Sequence, residues 1–125
     1  MESYLASTNT PDLKDYISNT EHQLREKMFR DFKKDELHLI RKQLKELIYL
    51  SQIMKKKSTI KEIETYNKLQ NTIGDWHDKN ILIDFLQKKQ NSLYKDSIQK
   101  LKLGCTADLK LIKSLMSTLK LKYAF

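Results

Sequence analysis

The scarcity of helix-breaking residues is the feature that most restricts the fold of this chain. Only two glycines and one proline occur among its 125 residues, so the sequence indicates neither a Gly/Pro-rich linker nor a second domain. Aliphatic residues, lysine and glutamine dominate, and the β-branched residues do not cluster in alternating runs. Because this composition favours helix over strand, we expect one all-α domain spanning residues 1–125.

The charge and the cysteine content narrow the setting in which the chain acts. A formal net charge of +8 attracts nucleic acid, anionic membrane, acidic protein or free polyanion alike. The N-terminal segment lacks the basic and apolar regions of a signal peptide, and no apolar run approaches the roughly 20 residues needed to span a bilayer. Cys105 is alone and cannot form an intramolecular disulfide. We therefore expect a soluble, cytoplasmic protein in which Cys105 is a buried or half-buried inert thiol.

The first half of the chain predicts two helices. Residues 10–12, a threonine, a proline and an aspartate, are typical of a helix start, and the apolar spacing that follows predicts a helix to about residue 33. A second helix is predicted from Glu36 to about Lys56, with Asp35 as its cap.

The second half predicts four shorter helices. Thr59 and Glu62 have the spacing of a capping box that starts a third helix, and Gly74 would end it. A turn at residues 74–78 precedes a fourth helix, whose predicted apolar stripe is Ile81, Leu82, Phe85 and Leu86. The fifth and sixth helices would be separated by Gly104, with predicted ranges Leu93–Leu103 and Thr106 or Ala107 onward. About six helices joined by short turns predict a helical bundle.

The second helix carries the most informative charge pattern. At about 100° per residue, its predicted core arc is Leu37, Ile40, Leu44, Leu47, Ile48 and Ser51. The adjacent arc holds His38, Arg41, Lys42, Lys45, Tyr49 and Gln52. Because Glu36 and Glu46 fall outside that arc, the cations form a donor ridge that repels itself and would be relieved by a bound anion. The alternative is that His38 and Tyr49 flank the core and the cations are simply solvated.

Apolar residues also occur on the opposite side of this helix, at Leu39, Leu50 and Ile53. A helix with two apolar sides is usually packed on both. The pattern therefore predicts that the second helix is central in a bundle or lies at a subunit interface.

The "GDWHD" segment is a second candidate. Asp75 or Asp78 would favour the exposed N–H groups of a new helix start, and His77 could reach an anion held at that positive helix end. The alternative is a local cap formed by His77 and Asp78 without any ligand.

Taken together, these two segments resemble the CHAD family (conserved histidine α-helical domain). The family's first motif is a His followed by Arg and Lys at three-, four- and seven-residue offsets and then a Tyr. The residues at those positions here are His38, Arg41, Lys42, Lys45 and Tyr49. The second motif, a leucine–glycine turn followed by a basic or His residue and Asp, is represented by residues 73–78.

This resemblance implies a helical bundle with a four-helix-bundle core whose basic channel binds inorganic polyphosphate, without catalysis, cofactor or metal. It implies that His38, Arg41, Lys42 and Lys45 line the channel together with His77. Tyr49 would donate a hydrogen bond or pack against a neighbour. The implied location is the cytoplasm, including polyphosphate granules.

The chain departs from the family pattern in two respects. Ile48 replaces a basic residue commonly found before the Tyr, and the family is usually about twice as long, with two half-units related by pseudo-twofold symmetry. The resemblance covers residues 13–90, whereas residues 91–125 match only as C-terminal helices. A single half-unit would leave the channel half-walled, so we expect a homodimer. The lysines of the last helix (Lys110, Lys113, Lys120 and Lys122) would contribute to the site or form a solvated face.

Three other functions remain open. A helical nucleic-acid binder would compete for the same basic face, although no recognised DNA- or RNA-binding motif occurs. An enzyme acting on phosphate substrates would need carboxylates that hold a metal; Asp75, Asp78 and Asp84 are close in sequence but lack a metal-site motif. The last alternative is a protein-interaction bundle with an incidental basic face.

Overall fold

The chain is all-helical in the computed structural model, which describes residues 10–30, 32–54 and 63–122. No strand occurs in these ranges, so the all-α prediction is confirmed. The α-helices described are α1 (Thr10–Phe29), α2 (Glu36–Met54), α3 (Ile63–Lys88) and α4 (Lys95–Lys122). Within these ranges, four α-helices stand where six were predicted. The capping box at Thr59 and Glu62 lies outside the described residues.

The chain divides into two compact units, Met1–Lys61 and Glu62–Phe125. The first contains α1 and α2, and the second contains α3 and α4. The prediction of one domain over residues 1–125 stays a prediction. No described helix is both long enough and apolar enough to cross a membrane.

In the first unit, α1 and α2 form an antiparallel pair. Lys27 Nζ donates to Gln43 Oε1 at 3.1 Å near the connection, and Tyr16 Oη donates to Glu46 Oε2 at 2.9 Å farther along both helices. Buried residues recur at helical spacing on both elements, as predicted. They are Ile17, Thr20, Leu24 and Met28 on α1 and Leu37, Ile40, Leu44 and Leu47 on α2.

The start of α2 is fixed by Glu36 rather than by the predicted cap at Asp35. Glu36 Oε1 accepts a hydrogen bond from the Lys33 backbone N–H at 2.9 Å, and its other carboxylate oxygen lies 3.3 Å from Arg30 Nη2. Asp35 makes no such bond within the part of the chain that the structure describes. The carboxylate that accepts the backbone hydrogen bond at this turn therefore belongs to the residue after the predicted one.

In the second unit, α3 and α4 are joined by residues 89–94. This connection contains a 3-10 turn, Ser92–Tyr94, where Asn91 Oδ1 accepts from the Leu93 N–H at 3.0 Å. Gln90 has a positive φ of 50°, a conformation that reverses the chain after α3. The fifth helix thus starts close to the predicted position.

The predicted helix break at Gly74 is wrong, because α3 continues through it to Lys88. No described glycine has a positive φ, so Gly74 does not form a C-cap. Glycine inside a helix costs about 1 kcal/mol relative to alanine, which buried side chains on both sides, Ile73 and Ile83, can offset. Asn80 Nδ2 also donates to the Trp76 carbonyl at 2.8 Å, a bond within the helix where a turn was predicted.

The predicted break at Gly104 is wrong for a different reason. Gly104 lies inside α4, and a Cβ atom there would meet Lys79 of α3, 3.0 Å from its Cε and 3.1 Å from its Cδ. The missing side chain leaves room for Lys79 to pass α4 and reach Asp108. The glycine is thus explained by a close approach between two helices.

The apolar stripe predicted for the fourth helix lies on α3, but most of it is exposed rather than packed. Ile81, Leu82 and Phe85 are exposed, and Ile83 is the buried residue in that stretch. Cys105, by contrast, is buried as predicted.

Candidate functional site

The five residues predicted on the second helix lie on one flank of α2, and we call this set the basic ridge. It consists of His38, Arg41, Lys42, Lys45 and Tyr49. All are exposed except Arg41, which is half-buried, and Tyr49 is 63 % exposed. Their offsets of three and four residues bring successive side chains to within about 5–6 Å at Cβ. The ridge therefore presents closely spaced hydrogen-bond donors along about three turns of helix.

The orientation of the basic ridge is set by the buried stripe beside it. Leu37, Ile40, Leu44 and Leu47 are fully buried, so rotation of α2 about its axis would expose apolar surface to water. The packing of these four side chains fixes which side of α2 faces solvent. The predicted burial of these four side chains is confirmed.

The acids of α2 are held away from the basic ridge by residues of α1 and of the connection. Glu46 accepts the hydrogen bond from Tyr16, and this bond, with burial and the carboxylate charge as smaller causes, raises the pKa of Tyr16 above its ordinary value. Glu36 is engaged by Arg30 and the Lys33 N–H. Lys42 and Lys45 form no ion pair within the described ranges. Within those ranges, no salt bridge therefore joins these two lysines to the acids of their own helix.

Apolar side chains also lie on the side of α2 roughly opposite its buried stripe. Leu39 and Ile53 are 49 % and 52 % exposed, and Leu50 is half-buried. The prediction that this side packs at a subunit interface stays a prediction.

His77 lies on α3 in the second unit and is exposed. Its predicted setting is wrong, because residues 74–78 are interior to α3. Backbone N–H groups inside a helix are bonded to carbonyls one turn earlier, so no helix N-terminus beside His77 is available to an anion. A role of His77 in binding stays a prediction that depends on its own imidazole.

The lysines of α4 form a longer pattern than the sequence reasoning recognised. Lys95, Lys102, Lys113 and Lys120 are all exposed, and their spacings of seven, eleven and seven residues place them on one flank of the helix. Sequence reasoning included Lys113 and Lys120, with Lys110, but missed the first two, because a break was predicted at Gly104. The side chain of Lys122 lies outside the described residues.

Residues 10–30, 32–54 and 63–122 contain no group of three His, Cys, Asp or Glu side chains arranged to hold a metal ion. Asp75, Asp78 and Asp84 lie within α3.

Comparison of the chain with protein-family models, with curated proteins and with solved structures finds no match.

Proposed function

We propose that this chain binds inorganic polyphosphate, or a similar linear polyanion, through the basic ridge of α2 and without catalysis. The observation that carries the proposal is the separation of charge on this helix. Lys42 and Lys45 are exposed, whereas Glu46 accepts a hydrogen bond from Tyr16 of α1. The choice of polyphosphate among polyanions is supported by the resemblance of His38, Arg41, Lys42, Lys45 and Tyr49 to the CHAD motif.

The chemistry of polyphosphate fits such a surface. It is a flexible chain with a negative charge on each closely spaced phosphate, so it can follow donors that recur every three or four residues along a helix. Charged donors form the stronger class of hydrogen bonds to phosphate oxygens, and binding would also release counterions from the chain. Because polyphosphate has no nucleobases, its shape and its charge alone would determine its affinity for the ridge.

The basic ridge is one wall of the proposed site, and we propose that the rest comes from His77 and a second copy of the chain. This step is based on the family resemblance, in which two half-units form one channel. We place the binding in the cytoplasm, where polyphosphate granules would supply the ligand.

The proposal is tested by comparing a variant that removes ridge side chains with a control variant that loses the same net charge elsewhere. The variant is His38→Ala, Arg41→Ala and Lys45→Ala combined, and the control is Lys14→Ala with Lys34→Ala, two exposed lysines of the same unit. Counting histidine as neutral, each variant lowers the formal net charge by two. We expect the ridge variant to lose affinity for long-chain polyphosphate at least tenfold more than the control, measured by fluorescence anisotropy at fixed salt. Equal losses, with both helical contents intact by circular dichroism, would favour an incidental basic face.

Two further measurements separate this function from its competitors. Duplex DNA should displace labelled polyphosphate poorly at equal phosphate concentration and salt; comparable displacement would favour a nucleic-acid binder. Incubation of the pure protein with polyphosphate or ATP and divalent metal should release no phosphate above the buffer control. Metal-dependent release would favour an enzyme.

A further inference from the structure

The second half of α3 presents an apolar surface to solvent. Leu82 and Phe85 are 43 % and 54 % exposed, and Ile81 beside them is also exposed. Isolated exposed apolar residues are common on protein surfaces. Several at adjacent helical positions form a patch, and such patches mark interaction surfaces.

Charged residues continue this patch in both directions along the helix. Asp78, Leu82, Phe85 and Lys89 follow one another at intervals of four, three and four residues, the spacing of a helix seam that packs against another helix. We call these four residues the α3 seam. Lys89 follows the last residue of α3, and its Nζ lies 4.8 Å from the centroid of the Phe85 ring, so its side chain is on the same side. Asp78 is exposed and has no ion pair within the described ranges.

The α3 seam is complementary to itself when two copies run antiparallel. Asp78 and Lys89 are centred between residues 83 and 84, and so are Leu82 and Phe85. One two-fold axis at that point would therefore place Asp78 of each copy opposite Lys89 of the other, with Leu82 opposite Phe85. The two ion pairs would lie about 16 Å apart along the helix, one on each side of an apolar centre.

We propose that the α3 seam is a docking surface for a second copy of this chain, packed antiparallel about that axis. A parallel arrangement would set Asp78 against its own copy and Lys89 against its own copy, and like charges across an interface oppose association. An isologous interface uses the same patch on both subunits, which the acid–apolar–base order of the α3 seam satisfies. The proposed function also calls for a second copy of the chain, but this inference adds the surface on which the copy docks, and no residue of the basic ridge takes part in it.

Charge reversal tests both the surface and the direction of packing. We expect the wild-type chain to show concentration-dependent dimerisation by sedimentation velocity in the absence of polyphosphate. Asp78→Lys alone and Lys89→Asp alone each create two like-charge pairs in the antiparallel dimer and should raise Kd roughly tenfold or more. The double variant D78K/K89D restores both attractions and should dimerise as the wild type does. An equimolar mixture of the two single variants should also dimerise, because each then faces its opposite charge.

Two further variants test whether association depends specifically on the α3 seam. Leu103→Glu changes a 65 % exposed leucine of α4 and should leave dimerisation unchanged, whereas Phe85→Glu should abolish it. Circular dichroism reports whether each variant remains helical, and the double charge swap tests the surface even if Phe85→Glu does not fold. A monomer at every concentration overturns the proposal, as does a failure of both the double variant and the mixture to recover association. Loss of the dimer on Leu39→Glu, with no effect of the α3 charge reversals, would place the interface on α2 instead.

Discussion

Lys79 Nζ donates a hydrogen bond to Asp108 Oδ2 at 2.7 Å, which joins α3 to α4 beside Gly104. The hydrogen bond is the largest cause of a raised pKa of Lys79, and the charges of Asp108, Asp75 and Cys105 act in the same direction against a partial loss of hydration. Both side chains are partly shielded from water. The pair is therefore a specific link within the second unit rather than a freely solvated contact.

We expect Asp108→Asn to lower the free energy of unfolding by about 1–2 kcal/mol, because a hydrogen bond between charged groups contributes about 1.5–3 kcal/mol and solvent screening weakens this partly exposed pair. The matched control is Asp84→Asn, an exposed acid of α3, which should change stability by less than about 0.5 kcal/mol. Urea unfolding followed by circular dichroism measures both. Equal effects of the two substitutions would show that the link contributes nothing specific.

The same pair predicts the direction of a pH effect. Because the pKa of Lys79 is raised in the folded chain, its stabilisation is fully present below the ordinary value of 10.5 and is lost as the pH rises through the raised pKa. The difference in stability between wild type and Asp108→Asn should therefore be constant from neutral pH up to that value and shrink above it. Urea midpoints across alkaline pH measure the difference. A gap that widens with rising pH would contradict the assignment.

Gly104→Ala is expected to act differently with and without this link. Alanine inside a helix is favoured over glycine by about 1 kcal/mol, but the new Cβ would crowd the Lys79 chain at 3.0 Å. Lys79 must shift and weaken its bond to Asp108, so the gain should be largely cancelled. In the Asp108→Asn background the neutral amide holds Lys79 less tightly than the carboxylate does, and most of the gain should return. A double-mutant cycle by urea unfolding measures the coupling; strict additivity would contradict it.

In the first unit, Glu46→Gln should lower the pKa of Tyr16 toward its ordinary value of 10.0. The hydrogen bond from Tyr16 Oη to Glu46 is the largest cause of the raised pKa, and the carboxylate charge adds to it. Ring-carbon NMR titration of the tyrosines follows Tyr16 directly, with Tyr16→Phe to assign its signal. Glu64→Gln, a change at an exposed acid of α3, should leave the Tyr16 titration unchanged. No shift on Glu46→Gln would contradict the assigned cause.

The sequence correctly predicted those features that are determined by the residues of a single helix. The period of Leu37, Ile40, Leu44 and Leu47 identified the buried side of α2, and the basic ridge followed from it because its offsets belong to the same helix. These signals are local, and the structure leaves them intact.

The predictions failed where a local signal is overruled by packing. In the sequence, Gly104 has the appearance of a helix C-terminus. In the structure, the glycine leaves room for Lys79, which is 25 residues away in the sequence and therefore lies outside any local pattern. Similarly, the spacing of Leu82 and Phe85 indicates an apolar face of a helix without indicating what covers it. The structure leaves that face exposed. The α3 seam was not predicted from the sequence, because the predicted break at Gly74 placed Asp78 at the start of a new helix.

The salt dependence of binding measures most directly how many lysines of the basic ridge touch the ligand. Each phosphate neutralised by a lysine releases counterions, so removing one such lysine should lower the magnitude of the slope of log K against log salt by about 0.7 on a single-stranded polyanion. Lys42→Ala combined with Lys45→Ala should therefore reduce the slope for long-chain polyphosphate by about 1.4. Lys14→Ala with Lys34→Ala removes the same charge from outside the ridge and should change the slope much less, because long-range attraction without contact is largely screened by salt. Equal slopes for the two double variants would mean that binding depends on the net charge of the protein alone and that the ligand does not lie along α2.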